Sequence, residues 1–220
     1  MGILKPHRPS DYPSLLLYIL DETHITITLL TALAILYTKD AHVVWFAIGA
    51  LNSSLSAKLL KNLIRNPRPT SKTITTKTTI PKSSSSSFEK EKENKKNLKS
   101  SSSLKTYKIK NKKTYGMPST HSTSLTFYFI YLIPFLINKN LNSNFQFFRN
   151  LLSILGISIY WLLGLWSRKK LGYHNLKQIF GGILFGSFLA FIWKFIYLKF
   201  PFIGLNIQNF INIVWNRIFG

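Results

Sequence analysis

Apolar residues in this chain occur in long blocks that are separated by polar stretches. Five blocks, at about residues 23–38, 41–64, 120–137, 150–166 and 178–198, hold most of the aromatic and aliphatic side chains. About 20 apolar residues are needed to cross a bilayer as a helix, and in hydrocarbon a helix pairs its own backbone amides. The pattern therefore predicts an all-α fold, a multi-pass transmembrane helical bundle of about five spans.

Two further apolar stretches, one near each end of the chain, are predicted to lie at the membrane interface. SLLLYIL is followed by Asp21 and Glu22, so residues 1–22 are interpreted as an N-terminal interfacial segment. The C-terminal tail, residues 199–220, is predicted to form a short interfacial helix and not a span. Its apolar side chains recur at helical spacing: Phe210, Ile211, Val214, Trp215 and Ile218.

A polar insertion at residues 70–115 divides the membrane domain into residues 23–69 and 116–198. It contains 13 Lys and 3 Glu, a net charge of +10, and it includes two runs of serine. Such a composition buries too little apolar area to offset the entropy of ordering, so the insertion is predicted to be disordered. We interpret it as a tolerated surface loop, with a phosphorylation or lipid-contact role as the alternative.

The composition and charge narrow the class of protein. Of the 220 residues, 46% are hydrophobic and none is cysteine, which excludes a disulfide framework and a thiolate metal site. In a soluble protein the net charge of +22 would favour nucleic acid. Here the charge lies in the insertion and at the ends of the apolar blocks, so the predicted partners are membrane lipids and not nucleic acid.

Three polar clusters lie where the predicted spans end. The chain reaches one side of the membrane after the second span, leaves it at the third and returns after the fourth. Counting crossings therefore places all three clusters on the same side. The clusters are Lys61, Arg65 and Arg68; Pro118, Ser119, Thr120 and His121; and Ser167, Arg168 and His174.

These clusters contain the residue types that a phosphate site requires. Phosphoryl transfer spreads negative charge over the equatorial oxygens, which fixed cations such as Lys61, Arg68 and Arg168 can stabilise. Ser119 and Thr120 precede an apolar helix, whose N-terminal amides can bind an anion. The histidines of the second and third clusters can act as a nucleophile and a general acid. Taken one by one, the same residues also fit membrane anchors and helix caps.

The joint spacing of the clusters resembles the three-part signature of the type 2 phosphatidic acid phosphatase superfamily. In order, the matching elements are Lys61-x6-Arg68-Pro69, Pro118-Ser119-Thr120-His121 and Ser167-Arg168-x5-His174. The resemblance implies that His174 is the nucleophile, forming a phosphohistidine, and that His121 is the general acid. It implies no metal and no cofactor. Five side chains are implied to hold the phosphate, namely Lys61, Arg68, Ser119, Thr120 and Arg168. Of these, Arg168 is also implied to be catalytic.

Within that superfamily, GMPSTHS and YHNLKQIFGG resemble the dolichyl diphosphatase branch, and LDETHI is a weaker similarity to it. The general signature has Asp four residues after the nucleophile, where this chain has Gln178. We interpret Gln178 as the residue that orients His174, because an amide oxygen can accept a hydrogen bond from an imidazole. The implied substrate is a polyisoprenoid lipid diphosphate, dolichyl diphosphate, whose product is reused as the glycan carrier in protein N-glycosylation.

Two other functions fit the same sequence. One is a phosphatase for sphingoid-base phosphate, phosphatidic acid or another lipid phosphate, and the other is a membrane scaffold with a decayed site. The side of the membrane is also in question, because the Lys and Arg count places the clusters in the cytosol whereas the resemblance implies a lumenal site. We predict a multi-pass protein of the endoplasmic reticulum membrane with a lumenal site. The sequence predicts no oligomeric state.

Overall fold

The computed structural model describes residues 12, 14–69, 74–77, 104–107, 115–137 and 144–219. These residues form seven helices and two short strands. In chain order the elements are α1 (Leu15–Asp21), α2 (Thr23–Thr38), α3 (Ala41–Ile64), β1 (Ile74–Lys77), β2 (Leu104–Tyr107), α4 (Thr120–Ile137), α5 (Asn144–Lys170), α6 (Leu176–Lys199) and α7 (Pro201–Phe219). The helices α2, α3 and α4 have the predicted bounds, whereas α5 and α6 extend beyond theirs, because hydropathy marks only the apolar part of a helix.

The predicted multi-pass helical bundle is confirmed. Among the described residues, three helices are long and apolar enough to cross a membrane, namely Ala41–Ile64, Phe145–Lys170 and Leu176–Lys199. The pair α1 and α2, bent by 57° at their junction, adds a fourth candidate span. The helix α4 is not among them, and the count of five spans stays a prediction.

The helix α4 forms the centre of the bundle, where it packs against α3, α5 and α6. Its Phe127 is fully buried and stacks against Phe46 of α3, with Tyr131 in the same cluster. The helix α6 comes very close to α4 at Gly186, where an added Cβ atom would lie 2.4 Å from the carbonyl oxygen of Thr123. Only glycine allows the two backbones to approach this closely.

The helix α1, predicted to be interfacial, is packed into the bundle. Leu17 and Leu20 are buried, and Leu17 lies in one apolar cluster with Leu171 and Tyr173 from the turn that follows α5. Hydropathy could not indicate this role, because seven residues are too few to register as a span. The result is that the end of α1 reaches the same end of the bundle as the three polar clusters.

The helix α7 packs at the opposite end of the bundle. The side chain of Gln208 accepts a hydrogen bond from the amide of Ala41 at 3.0 Å and donates to the carbonyl oxygen of Lys39 at 3.1 Å. The Lys39 ammonium lies 3.7 Å over the ring of Trp215. The α2–α3 junction and α7 therefore lie away from the polar clusters, which is the arrangement that the count of crossings predicts.

The insertion contains regular structure that the sequence analysis did not predict. The strands β1 and β2 pair antiparallel, with Ile74 opposite Tyr107 and Lys77 opposite Leu104. The prediction of disorder does not hold for these residues, because ITTK and LKTY are rich in β-branched and aromatic side chains that favour strands. The rest of the insertion, up to residue 114, lies outside the described residues.

Candidate active site

The loop after α3 presents Arg68 to the end of the bundle where the polar clusters meet. Arg65 has a left-handed conformation, with φ 50°, that ends α3. Pro67 and Pro69 flank Arg68 and have no amide hydrogen to donate, so the helix cannot resume there. The guanidinium of Arg68 donates from Nη1 to the carbonyl oxygen of Tyr173 at 3.4 Å. This loop is therefore tied to the turn between α5 and α6.

The turn between α5 and α6 brings His174 beside Arg168. The carbonyl oxygen of Arg168 accepts hydrogen bonds from the amides of Tyr173 at 3.2 Å and His174 at 3.3 Å. Gly172 has a φ of 72°, a conformation that side chains other than hydrogen disfavour. His174 is 6% exposed and Arg168 is 4% exposed. The turn thus places a buried imidazole and a buried guanidinium next to each other.

The residues at the start of α4 do not all face the same way. Ser119 is fully buried, and its hydroxyl accepts hydrogen bonds from Ser122 N at 3.4 Å and Ser122 Oγ at 3.0 Å, the contacts of a helix cap. Thr120 and His121 are half-buried and line a cavity that also borders His174. The structure brings Thr120 and His121 to the predicted site and leaves Ser119 behind them as a cap.

A cavity of about 1390 Å³ lies between the helices at this end. It continues between α2 and α3, where its wall includes the apolar side chains of Ile27, Ile35, Ala47 and Leu51. Gln178, like Ser119, does not border it. The polar part of the cavity contains six of the predicted residues: Lys61, Arg68, Thr120, His121, Arg168 and His174.

Gln178 is fully buried and joins the segments that carry the three clusters. Its amide nitrogen Nε2 donates to the side-chain oxygen of Asn66 at 2.7 Å and to the carbonyl oxygen of Pro67 at 2.8 Å. Its Oε1 lies 3.2 Å from Nδ1 of His174. Its own carbonyl oxygen accepts from the amide of Ser119 at 3.1 Å. One residue of α6 therefore connects the loop after α3, the start of α4 and His174.

These contacts determine which nitrogen of His174 carries the proton. A backbone carbonyl can only accept, so the atom of Gln178 that faces Pro67 must be the amide nitrogen and the other atom must be the oxygen. Because that oxygen can only accept, Nδ1 of His174 must be the protonated nitrogen. In the neutral ring Nε2 then has a free lone pair, which is what a nucleophilic imidazole needs.

The predicted contact between His174 and Gln178 is present, but it arises from a helix cap. The helix α6 begins at Leu176, after the histidine, and Asn175 is its N-cap. The side chain of Asn175 accepts from Gln178 N at 2.9 Å, and Oε1 of Gln178 accepts from Asn175 N at 3.3 Å. The spacing Asn-x-x-Gln before an apolar helix is a readable signal for this capping box.

The environment of His174 keeps its imidazole neutral. Burial is the largest effect and lowers the pKa of His174 to about 3, and the charges of Arg68 and Lys61 act in the same direction. The hydrogen bond to Gln178 raises this pKa, and Arg168 adds a further lowering. The imidazole of His174 is therefore neutral at neutral pH and carries a single proton.

Thr23, at the start of α2, contacts the second histidine. Its Oγ1 lies 2.7 Å from Nε2 of His121 and also donates to the carbonyl oxygen of Leu20 at 3.2 Å. The direction of the contact with His121 depends on which ring nitrogen of the histidine carries the proton. In either case the contact joins the start of α2 to the second histidine of the site. The sequence analysis did not identify Thr23.

The sequence analysis also missed the partner of Arg168. Nη1 of Arg168 donates to Oδ1 of Asp21 at 2.6 Å, and both side chains are 5% exposed. The guanidinium also donates to the carbonyl oxygen of Leu20 at 3.0 Å and to Oγ of Ser167 at 3.1 Å. A signal was present, because the chain has only 7 acidic residues and Asp21 lies at the end of an apolar stretch.

Several known proteins are similar to this chain. The family profile described as the PAP2 superfamily matches residues 42–201. Dolichyldiphosphatase 1 of Dictyostelium discoideum is 26% identical over 162 residues, 72% of this chain and 54% of that protein. Dolichyldiphosphatase 1 of Mus musculus is 37% identical over 84 residues, 36% of this chain and 35% of that protein. The chain spans about half the length of the first relative and about a third of the second.

A solved structure has a similar fold. It is the crystal structure of a transmembrane PAP2 type phosphatidylglycerolphosphate phosphatase from Bacillus subtilis, with a TM-score of 0.53 and 17% sequence identity. The match covers 84% of this chain and 74% of that chain. At this identity the likeness concerns the fold alone.

Proposed function

This chain belongs to the PAP2 superfamily, as its motifs predicted, and from that premise we propose that it is a lipid phosphatase acting on dolichyl diphosphate. The observation that carries the proposal is the cavity, in which His174 and His121 lie with the cations Lys61, Arg68 and Arg168. Its continuation between the apolar faces of α2 and α3 suits a substrate with a long hydrocarbon chain. The names of the two curated relatives support the choice of dolichyl diphosphate.

The proposed reaction has two steps. In the first, Nε2 of His174 attacks the terminal phosphorus, a nitrogen–phosphorus bond forms, and the bond to the bridging oxygen breaks. His121, protonated on both ring nitrogens, gives one proton to that oxygen and becomes neutral, and dolichyl phosphate leaves. In the second, water attacks the phosphohistidine with His121 as general base, which releases phosphate and restores both histidines.

The cationic side chains would stabilise the charge on the transferred phosphoryl group without a metal. Lys61, Arg68 and Arg168 supply fixed positive charge and planar donors for its oxygens. Among the residues that the structure describes, no three His, Asp or Glu side chains are grouped to hold a metal ion. Turnover that persists in excess chelator is the expected result, and its loss with recovery on adding a divalent cation would contradict a metal-independent mechanism.

The test of the proposed substrate is an assay of purified protein on a panel of lipid phosphates. We expect dolichyl diphosphate to have the highest kcat/KM, above phosphatidic acid, sphingoid-base phosphate and phosphatidylglycerol phosphate. Preference for one of the other lipids would assign a different substrate. No turnover on any of them would favour a scaffold with a decayed site.

The proposed nucleophile can be tested by trapping phosphate on the enzyme. During turnover we expect acid-labile phosphate bound to the wild-type protein and none on His174→Ala, which should also be inactive. We expect His121→Ala to slow turnover by about 10²-fold or more, the scale of lost general-acid catalysis. Trapped phosphate that persists in His174→Ala would show that another residue is the nucleophile.

We also propose that the site faces the lumen of the endoplasmic reticulum. The support is the family resemblance, because the Lys and Arg count alone favours the cytosol. A glycosylation sequon introduced near Ser85, in the insertion on the same side as the site, is expected to acquire a glycan. Protease cleavage of the insertion from the cytosolic face of sealed vesicles would contradict this orientation.

A further inference from the structure

The bend between α1 and α2 lies beside the candidate active site. The two helices meet at an angle of 57°, and Asp21 is the last residue of α1. Within three residues of chain, Asp21 reaches Arg168 and Thr23 reaches His121. This segment precedes all three parts of the superfamily signature, so its contacts are an addition to that signature.

The contacts of Arg168 hold its guanidinium in one orientation. Three of its five N–H groups donate to Asp21, to the carbonyl oxygen of Leu20 and to Ser167. The other two N–H groups have no partner among the residues that the structure describes, and Arg168 borders the cavity. Two donors in a fixed plane are what bidentate binding of a phosphate uses.

The carboxylate of Asp21 is itself held from two sides. Its Oδ2 accepts hydrogen bonds from the hydroxyl groups of Tyr12 and, at 3.4 Å, of Tyr173. Burial and the negative charge of Asp21 raise the pKa of the Tyr173 hydroxyl, so this group stays protonated and remains a donor. Tyr173 is also the residue before His174, which links the carboxylate to the turn that carries the proposed nucleophile.

Other roles for Asp21 fit these contacts poorly. Both carboxylate oxygens are occupied by strong donors, which leaves the group poorly suited to accept a proton from water or substrate. A purely stabilising role is also a weak explanation, because burying a charge pair costs about as much desolvation energy as its attraction returns. A position directly behind the guanidinium fits an orienting role.

We propose that Asp21 is a positioning residue that aims the guanidinium of Arg168 at the phosphoryl group of the substrate. This inference rests on the proposed function, in which Arg168 binds phosphate. It gives the segment before the first predicted span a role in the site, although this segment lies outside the three motifs.

The test uses Asp21→Asn in the full-length protein, with orthovanadate as a probe of the phosphate site. Wild-type protein should gain thermal stability when vanadate is added, and Asp21→Asn should need at least about 10-fold more vanadate for the same gain. Its kcat/KM should fall by about 10²-fold, the scale of a misplaced binding group. The matched control is Glu22→Gln, which alters the neighbouring carboxylate. Glu22 lies 3.8 Å from the exposed His24, and this variant should leave both readouts unchanged.

Two further variants separate positioning from folding. Tyr12→Phe removes one hydrogen bond to Asp21 and no charge, so it should fold and should weaken vanadate binding by a smaller factor of about 2 to 5. The double variant Asp21→Asn/Arg168→Gln removes the lone buried charge and should recover thermal stability without recovering vanadate binding.

A folded Asp21→Asn protein with wild-type vanadate dependence would overturn the proposal, and tighter vanadate binding would overturn it in favour of Asp21 weakening the phosphate site. The vanadate measurement does not depend on which lipid is hydrolysed. A wild-type protein that binds vanadate but does not hydrolyse dolichyl diphosphate would contradict the proposed substrate and leave the inference on Asp21 standing.

Discussion

Replacing Gln178 with Glu tests whether this position needs the donors of an amide. The substitution keeps the shape of the side chain and the acceptor that faces Nδ1 of His174. It removes the two donors that reach Asn66 at 2.7 Å and Pro67 at 2.8 Å. Two part-buried acceptors would then face a carboxylate oxygen in place of an N–H group.

The expected cost follows from the two lost hydrogen bonds. A fully buried acceptor left without a donor costs about 1–3 kcal/mol, so about 2–6 kcal/mol is an upper bound for these two part-buried acceptors. The cations that lower the pKa of His174 attract the new carboxylate, which offsets part of this cost. We therefore expect Gln178→Glu to lower the free energy of unfolding by about 2 kcal/mol, the lower end of the range. For a chain of this size that corresponds to a fall in Tm of about 4–8 °C.

Thermal unfolding in detergent, followed by tryptophan fluorescence, measures this change. The matched control is Gln208→Glu in α7, where the hydrogen bond from the amide to a backbone carbonyl is exposed to solvent. The expected change there is within about 0.5 kcal/mol. We expect turnover of Gln178→Glu to be lower than wild type, because the loop and the turn that Gln178 connects lose their common anchor. Wild-type Tm combined with equal or higher turnover would refute the reasoning that the amide is needed.

Three other predictions concern the histidines and the insertion. The pKa of His174 is about 3 in the folded protein, whereas its ordinary value is 6.5. Between these two pH values the protein takes up a proton when it unfolds, so it should lose stability as pH falls below about 6.5. In melting experiments between about pH 7 and pH 4, His174→Gln should show a shallower loss than wild type. Thr23→Val should slow turnover of phenyl phosphate about 10-fold more than turnover of nitrophenyl phosphate. Nitrophenolate is the better leaving group and needs less help from a general acid such as His121. The control variant is Thr38→Val. Replacing residues 78–103 with Asn-Gly, a turn that joins two antiparallel strands, should keep turnover within a few fold, and a larger loss in a folded variant would assign the insertion a role.

The bundle was predictable because membrane helices leave a strong signal in a single sequence. Long apolar blocks indicated the helices, and counting crossings placed Arg68, His121 and His174 at the same end. The structure differs where short segments are concerned. The seven residues of α1 and the four of each strand are too few to show a reliable period, so tertiary contacts decide their structure.

The candidate site was predictable only as far as its motifs extend. Six of the predicted site residues come together around one cavity, whereas Ser119 and Gln178 lie outside it. The contact of His174 with Gln178 is present. Pairs between distant segments could not be predicted from one sequence. Asp21 and Arg168 are 147 positions apart, and Thr23 and His121 are 98 apart. A motif names the residues of each segment but does not state which segments face one another.

The position of the negative charge suggests why Gln can replace Asp after the proposed nucleophile. A carboxylate next to His174 would raise its pKa and favour the protonated ring, which cannot attack. The amide of Gln178 holds the same Nδ1 proton without that charge, and it donates to the neighbouring loop, which a carboxylate cannot do. The carboxylate that pairs with a cation of this site is Asp21, which lies behind Arg168. There it can orient a cation that binds phosphate while the imidazole stays neutral and keeps its lone pair.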